Sequence, residues 1–289
     1  ETLDTSELTT TANQIFGVTL DTEIDALSDD PGATVTYMLH LVNTGNYTDV
    51  FTVEPSSVWE AFLPTTMFTL PVGGAADVVV EVTIPSDAMA GENDVATITA
   101  TSSDGETLDT SELTTTANQI FGVTLVPAMD AMSGDPGTTV TYTLQLSNAG
   151  NWTDVFTVEA SSIWETSLPT TEFTIPAGGE EEVLVQVTIP SDAIEGASDV
   201  ATITVTSSDD ETSASSDLTT EANALYGFTL SPLTDAMQDY VGKTVEYELH
   251  LVNTSNITET FTFSYAGNMW DITLPVTSAE LGVGGELDI

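Results

Sequence analysis

Apolar and polar residues alternate one by one along most of this chain, in short runs bounded by turn residues. Residues 138–148 (TTVTYTLQLSN) put Val140, Tyr142, Leu144 and Leu146 on one side and threonine, glutamine and serine between them. That period of two is the pattern of a half-buried strand, and threonine and valine suit its pleated surface. EEVLVQVTIP (181–190) and DVATITVTSS (199–208) repeat it. Turn signals separate the runs: DPG at 135, NAGN at 148, PAGG at 176, and SSDG or SSDD near the end of each hairpin. No stretch carries a convincing 3.6-residue apolar period, so an all-β protein is expected.

The same landmarks return at a fixed offset. Residues 1–20 and 106–125 are identical at all twenty positions, an offset of 105. A third, more diverged copy keeps it: FGVTL at 16 and 121 becomes YGFTL at 226. Tyr37, Tyr142 and Tyr247 correspond, as do Asn46, Asn151 and Asn256, and Phe51, Phe156 and Phe261. Trp59, Trp164 and Trp270 correspond with one residue inserted in the last copy. Seven or so strands in about 105 residues are the dimensions of an immunoglobulin-like sandwich.

The turn at 102–105 sets the phase of the repeat. Residues 1–13 then read as the last strand of a preceding repeat, 14–118 and 119–223 as complete repeats, and 224–289 as a truncated one. Both ends are expected to be broken domains, because this is an excerpt of a longer array or because strands are exchanged between copies. The chain begins at Glu1 rather than methionine, which reads as processing or excerpting.

The conserved framework within the chain is [FY]G[VF]TL, then PGxxVxYxLxLxNxGNxTDxFT, a tryptophan, LP, GG, and TIPSDAxxGxxDVATITxTS. It resembles the tandem immunoglobulin-like repeats of very large bacterial and archaeal surface proteins. It is similar to the cell-adhesion-related repeats and to the sandwich domain appended to some secreted α-galactosidases. The resemblance covers the whole chain and implies an extracellular or cell-surface location, without identifying a ligand.

Charge narrows the partners. Forty-six acids face one cation, Lys243, for a formal charge of -45, and cysteine is absent. Such a chain repels phosphate backbones, so nucleic-acid binding is not expected. No run reaches the roughly 18 apolar residues of a membrane span, so no membrane insertion is expected from this segment. Without thiols there is no disulfide scaffold and no thiolate metal site. Self-repulsion calls for cations, and calcium, which takes several carboxylate and carbonyl oxygens, is the natural one. Asp25 persists as Asp130 and Asp235, and Asp30 as Asp135, which makes these five the calcium candidates. Diffuse counter-ions are the competing reading, and no other cofactor is expected.

Asn46, Asn151 and Asn256 each open an N-x-T sequon at one turn per repeat, and Asn253 opens another. N-linked sugar is one reading, which would make this a glycoprotein; the other is that NxGN simply builds the turn. The 51 threonines suit exposed strand faces and would also accept O-linked sugar. His40 and His250 sit at equivalent positions, but the second copy has Gln145 there, so no shared catalytic base is expected. The recurring tryptophans, phenylalanines and tyrosines read as core, with Tyr47 and Trp152 beside a turn as the candidate exposed rings. No catalytic residue is assigned, and the chain reads as a non-enzyme.

The expected function is an extracellular structural repeat protein, forming a stalk or self-assembling filament through end-to-end or lateral self-association. An adhesin or carbohydrate-binding module is the alternative, and so is a spacer within a larger secreted enzyme.

Overall fold

The computed structural model describes residues 3–267 and 269–289. Its contacts divide the chain into two compact units, Glu1–Phe121 with Gly150–Trp152, and Gly122–Ala149 with Thr153–Ile289. Among the described residues there is no helix, and none therefore long and apolar enough to cross a membrane.

Unit 1 holds one sandwich. Its strands are β1 (Val18–Thr22), β2 (Ala26–Asp29), β3 (Thr34–Asn43), β4 (Asp49–Ser56), β5 (Glu60–Phe62), β6 (Met67–Leu70), β7 (Ala75–Thr83), β8 (Asn93–Thr101) and β9 (Leu108–Ala117). One sheet runs β1-β3-β7-β5 and the other β2-β9-β8-β4-β6. This is the immunoglobulin-like arrangement, but with nine strands where about seven were expected. The opening strand divides: β1 pairs antiparallel with β3, and after Glu23 and Ile24 the chain crosses to lay β2 parallel to β9. Alternation alone does not reveal which sheet a strand joins, so the split was not legible.

The period of two becomes the core. Strand β3 reads exposed–buried in strict alternation until its last residues, burying Val35, Tyr37, Leu39 and Leu41. They meet Phe51, Val53, Ile98 and Leu113 from the opposite sheet in one apolar cluster. Burying a side chain such as Leu113 completely contributes about 1.5–3 kcal/mol. Before β3, Ala33 N–H donates to the Asp30 carbonyl (2.9 Å), closing a turn over Pro31 and Gly32. Gly32 has φ 86°, a left-handed backbone angle that favours glycine after proline in such a turn.

Unit 2 repeats the sandwich with β10 (Val123–Val126), β11 (Met129–Gly134), β12 (Thr139–Asn148), β13 (Asp154–Ser161), β14 (Glu165–Ser167), β15 (Glu172–Ile175), β16 (Glu180–Thr188), β17 (Ser198–Thr206) and β18 (Ser213–Ala222). The sheets are β10-β12-β16-β14 and β11-β18-β17-β13-β15, the same order. Tyr142, Leu144, Phe156, Ile203 and Leu218 fill the core. In both sandwiches the tyrosine hydroxyl ties the sheets together. Tyr37 Oη donates to the Thr114 carbonyl and Tyr142 Oη to that of Thr219, each at 2.7 Å.

The third copy, also in unit 2, has β19 (Phe228–Ser231), β20 (His250–Asn253), β21 (Glu259–Thr262), β22 (Ser278–Leu281) and β23 (Glu286–Asp288). Its strands form a three-stranded sheet β19-β20-β23 and the pair β21-β22. The aromatic residues expected as core are not all core here. Trp59 is buried, and Trp164 packs against Ile189, Ala193 and Ala222, whereas Trp270 is 83% exposed. Tyr247, the counterpart of two wholly buried tyrosines, is 47% exposed. Residues 224–289 contain no counterparts of β17 and β18, which supply Ala201, Ile203, Val205 and Leu218 to the core of the second copy.

Candidate functional site

The five aspartates expected to attract calcium lie apart, one or two to a turn. The Asp25 carbonyl accepts from Thr114 N–H (2.7 Å), an ordinary strand-edge contact. Asp130 and Asp235 each bind the next backbone N–H, at 2.8 and 2.7 Å. Asp30 Oδ1 accepts from Asn118 Nδ2 (3.2 Å) and Asp135 Oδ1 from Asn223 Nδ2 (3.1 Å). Among the described residues no three acidic or histidine side chains come together in a group that could hold a metal ion.

The asparagines are drawn into the backbone. Asn253 is wholly buried; its Nδ2 donates to the carbonyls of Ile257, Leu281 and Gly282, and its Oδ1 accepts from Ser255 N–H. Asn43 plays the same part in the first copy, donating to the Tyr47 and Leu70 carbonyls at 2.9 Å. Asn46, Asn151 and Asn256 sit three residues further on in the same loop and bind the chain that leads into each repeat. Their Oδ1 atoms accept from Ile15, Ile120 and Leu225 N–H at 2.8, 2.8 and 2.7 Å.

Two buried carboxylates per complete copy escaped the sequence reading. Asp49 is 2% exposed and takes the hydroxyls of Ser102 and Ser103 together with its neighbour's N–H. Asp154 repeats this with Ser207 and Ser208, both at 2.5 Å. Burial alone would raise these pKa values, but the hydroxyl and backbone N–H donors outweigh it and hold both below the ordinary carboxylate value. Asp94 and Asp199 cradle the loops before Trp59 and Trp164, accepting from Ser57 and Ser162 and from both tryptophan N–H groups. Asp199 is likewise held low: burial opposes, and Ser162 and the Trp164 and Ile163 N–H groups prevail. No buried side-chain nitrogen or oxygen among the described residues lacks a partner. These acids lock loops to strands through the hydroxyl and backbone N–H donors around them. Their recurrence at the 105-residue offset, with Ser-Ser at the partner positions, was the available signal.

The histidines face solvent beside acids. His40 Nδ1 lies 3.3 Å from Asp77, and His250 Nδ1 lies 2.6 Å from Asp288. The hydrogen bond to Asp288 raises the His250 pKa above 6.5. Among the aromatic candidates, Tyr47 stacks edge-on against Phe16 with ring centroids 5.2 Å apart, and Trp152 is 49% exposed. A hollow of about 660 Å³ opens on the third copy, lined by Phe228, Leu230, Leu251, Phe261 and Phe263 among others. Its wall corresponds to sandwich interior: the second-copy counterparts of Leu251 and Phe261 are Leu146 and Phe156, buried in one cluster with Ile203 of β17 and Leu218 of β18.

A family model described as "IG-like fold at C-terminal of FixG, putative oxidoreductase" matches residues 139–221, most of the second copy. No curated protein matches the chain. Among solved structures, the extracellular cadherin domains 1–4 of protocadherin gamma B7 are 12% identical, with 94% of this chain and 68% of that one covered and a TM-score of 0.42. A protein of unknown function from Porphyromonas gingivalis W83 is 14% identical over 70% of this chain and 99% of its own, with a TM-score of 0.30. The CupB2 chaperone of Pseudomonas aeruginosa is 10% identical over 71% and 100%, with a TM-score of 0.28. These likenesses go no further than the immunoglobulin-like fold.

Proposed function

We propose that this chain is a structural, non-enzymatic segment of tandem immunoglobulin-like sandwiches, working outside the cell or on a microbial surface as part of a stalk or self-assembling filament. The observation that carries the reading is the recurrence of one sandwich. Two copies repeat the same strand order, the same tyrosine tie and the same buried aspartates at one offset. Polar groups that recur so faithfully here serve the framework, which is what a spacing element requires. The surface supports the same reading. A charge of -45 with one lysine resists non-specific association and leaves trypsin a single cut. Acid and threonine faces offer lateral contacts between copies, with cations screening the repulsion.

Electron microscopy of the native material tests this. Ordered filaments with an axial period in multiples of roughly 40 Å, the length of a ten-residue strand with its loops, support the filament. Extended arrays tethered to cells support the stalk. Dispersed single particles with no end-to-end array overturn both.

Trp152 favours a second reading, an adhesin or carbohydrate-binding module, because a half-exposed ring beside a turn offers a stacking surface for a sugar. A glycan-array signal that disappears in Trp152→Ala would support it.

A further inference from the structure

The N-x-T asparagines mark more than a turn. Within unit 2, Asn256 follows β20 in the third copy, and its side chain gathers three separate segments. Its Oδ1 accepts from Leu225 N–H and its Nδ2 donates to the Asn223 carbonyl, at 2.7 and 2.9 Å, so the linker between the second and third copies is gripped on both sides. The same Nδ2 donates to the Ala193 carbonyl (3.1 Å), which belongs to the end loop of the second copy. Glu195 N–H of that loop donates back to the Asn256 carbonyl at 3.1 Å. The linker is also anchored from behind: Asn223 N–H donates to the Gly134 carbonyl and its Nδ2 to Asp135.

The set recurs within unit 1. Asn151 accepts from Ile120 N–H and donates to the carbonyls of Asn118 (2.9 Å) and Ala88 (3.1 Å), while Ala90 N–H donates to the Asn151 carbonyl. The partners stand 31, 33 and 63 residues before the asparagine in both units. Asn46 makes the two linker bonds, to Ile15 and Asn13. It is exposed where Asn151 and Asn256 are half-buried.

We infer that Asn256 is a junction clamp, binding the end loop of the second copy and the linker to its own turn in the third, that Asn151 makes the equivalent bonds within unit 1, and that both are closed to glycosylation in the folded chain. The second point follows from the first. A primary amide has two hydrogens, and in each clamp both have a carbonyl acceptor in place. A sugar on Nδ2 replaces one hydrogen and must occupy the space of one of those carbonyls. The clamp does not depend on whether the array is a stalk, a filament or an adhesin.

Three variants of the full chain, read by residue-resolved amide hydrogen exchange, test the inference. Asn256→Asp keeps an acceptor for Leu225 N–H but turns a carboxylate oxygen towards two carbonyls. Leu225 should stay protected while Glu195 loses protection by about tenfold, the loss expected for a broken partly buried pair. Asn256→Ala should deprotect both. Thr258→Ala destroys the sequon and should change neither. Ile203 and Val205 in β17 should keep their protection in all three, which certifies that the second sandwich is folded. Unchanged protection of Glu195 and Leu225 in Asn256→Ala overturns the clamp. So does a glycan at Asn151 or Asn256 by intact and peptide mass of natively produced protein.

Discussion

Residues 1–13 and 106–118 carry one and the same sequence, ETLDTSELTTTAN. In the second occurrence Leu108–Ala117 is β9, laddered antiparallel to β8 and parallel to β2, with Leu113 wholly buried. In the first, residues 3–13 form no strand and Leu8 is 93% exposed. Nothing in the letters distinguishes them. What differs is the company: β9 meets the Tyr37 hydroxyl, the outer neighbour β2 and the facing sheet. Strand propensity on this evidence of identical segments is a fit to a half-built surface rather than a property of the segment. The third copy teaches the same from the other side, since its strands keep their alternation while Tyr247 and Trp270 lie open.

The greatest contrast between the two segments is expected at the leucine pair. Leu113→Ala should destabilise the first sandwich by about 2–5 kcal/mol in urea unfolding, whereas Leu8→Ala should stay within about 0.5 kcal/mol. Equal effects would mean that residues 3–13 are packed in solution. Next comes Asp154, which has no buried counterpart in residues 3–13. Asp154→Asn should cost the second sandwich about 1–3 kcal/mol at neutral pH by mismatching Ser207 and Ser208. Because the folded pKa values of Asp49 and Asp154 are depressed, their stabilisation is present above the unfolded value near 3.9 and is lost as pH falls through the folded values. Urea midpoints should therefore drop below about pH 4, and less steeply in Asp154→Asn. Smaller still, Thr115→Val removes a partner of the Tyr37 hydroxyl and should cost about 1 kcal/mol, while Thr10→Val at the identical position should cost nothing measurable. Smallest of all, a chelator should leave the melting temperature unchanged if the acid surface holds only diffuse counter-ions.

Much of this architecture was legible beforehand. The strands of β3 and β12, the turns at Gly32 and Gly137, and the buried tyrosines followed from alternation and from the 105-residue offset, both local or self-referential signals. The roles of individual polar residues were less legible. Asp49 reads like any surface acid, because its partners Ser102 and Ser103 lie 53 and 54 residues away. Asn151 and Asn256 read as sequons or turn formers, because the carbonyls they bind lie 33 and 63 residues back in the chain. Asp30 and Asp135, read as cation ligands, also accept from the side chains of the linker residues Asn118 and Asn223. A polar residue's function here is decided by what folding brings to it, which periodicity does not encode.

Separate cores should let each complete copy resist force on its own, and stretching single chains from their two ends tests this. Two unfolding events are predicted, each releasing about 350 Å of contour for roughly 100 residues at about 3.5 Å apiece, with residues 3–13 and the open third copy extending at low force. One event spanning both copies, or extension with no resisting step, would contradict it.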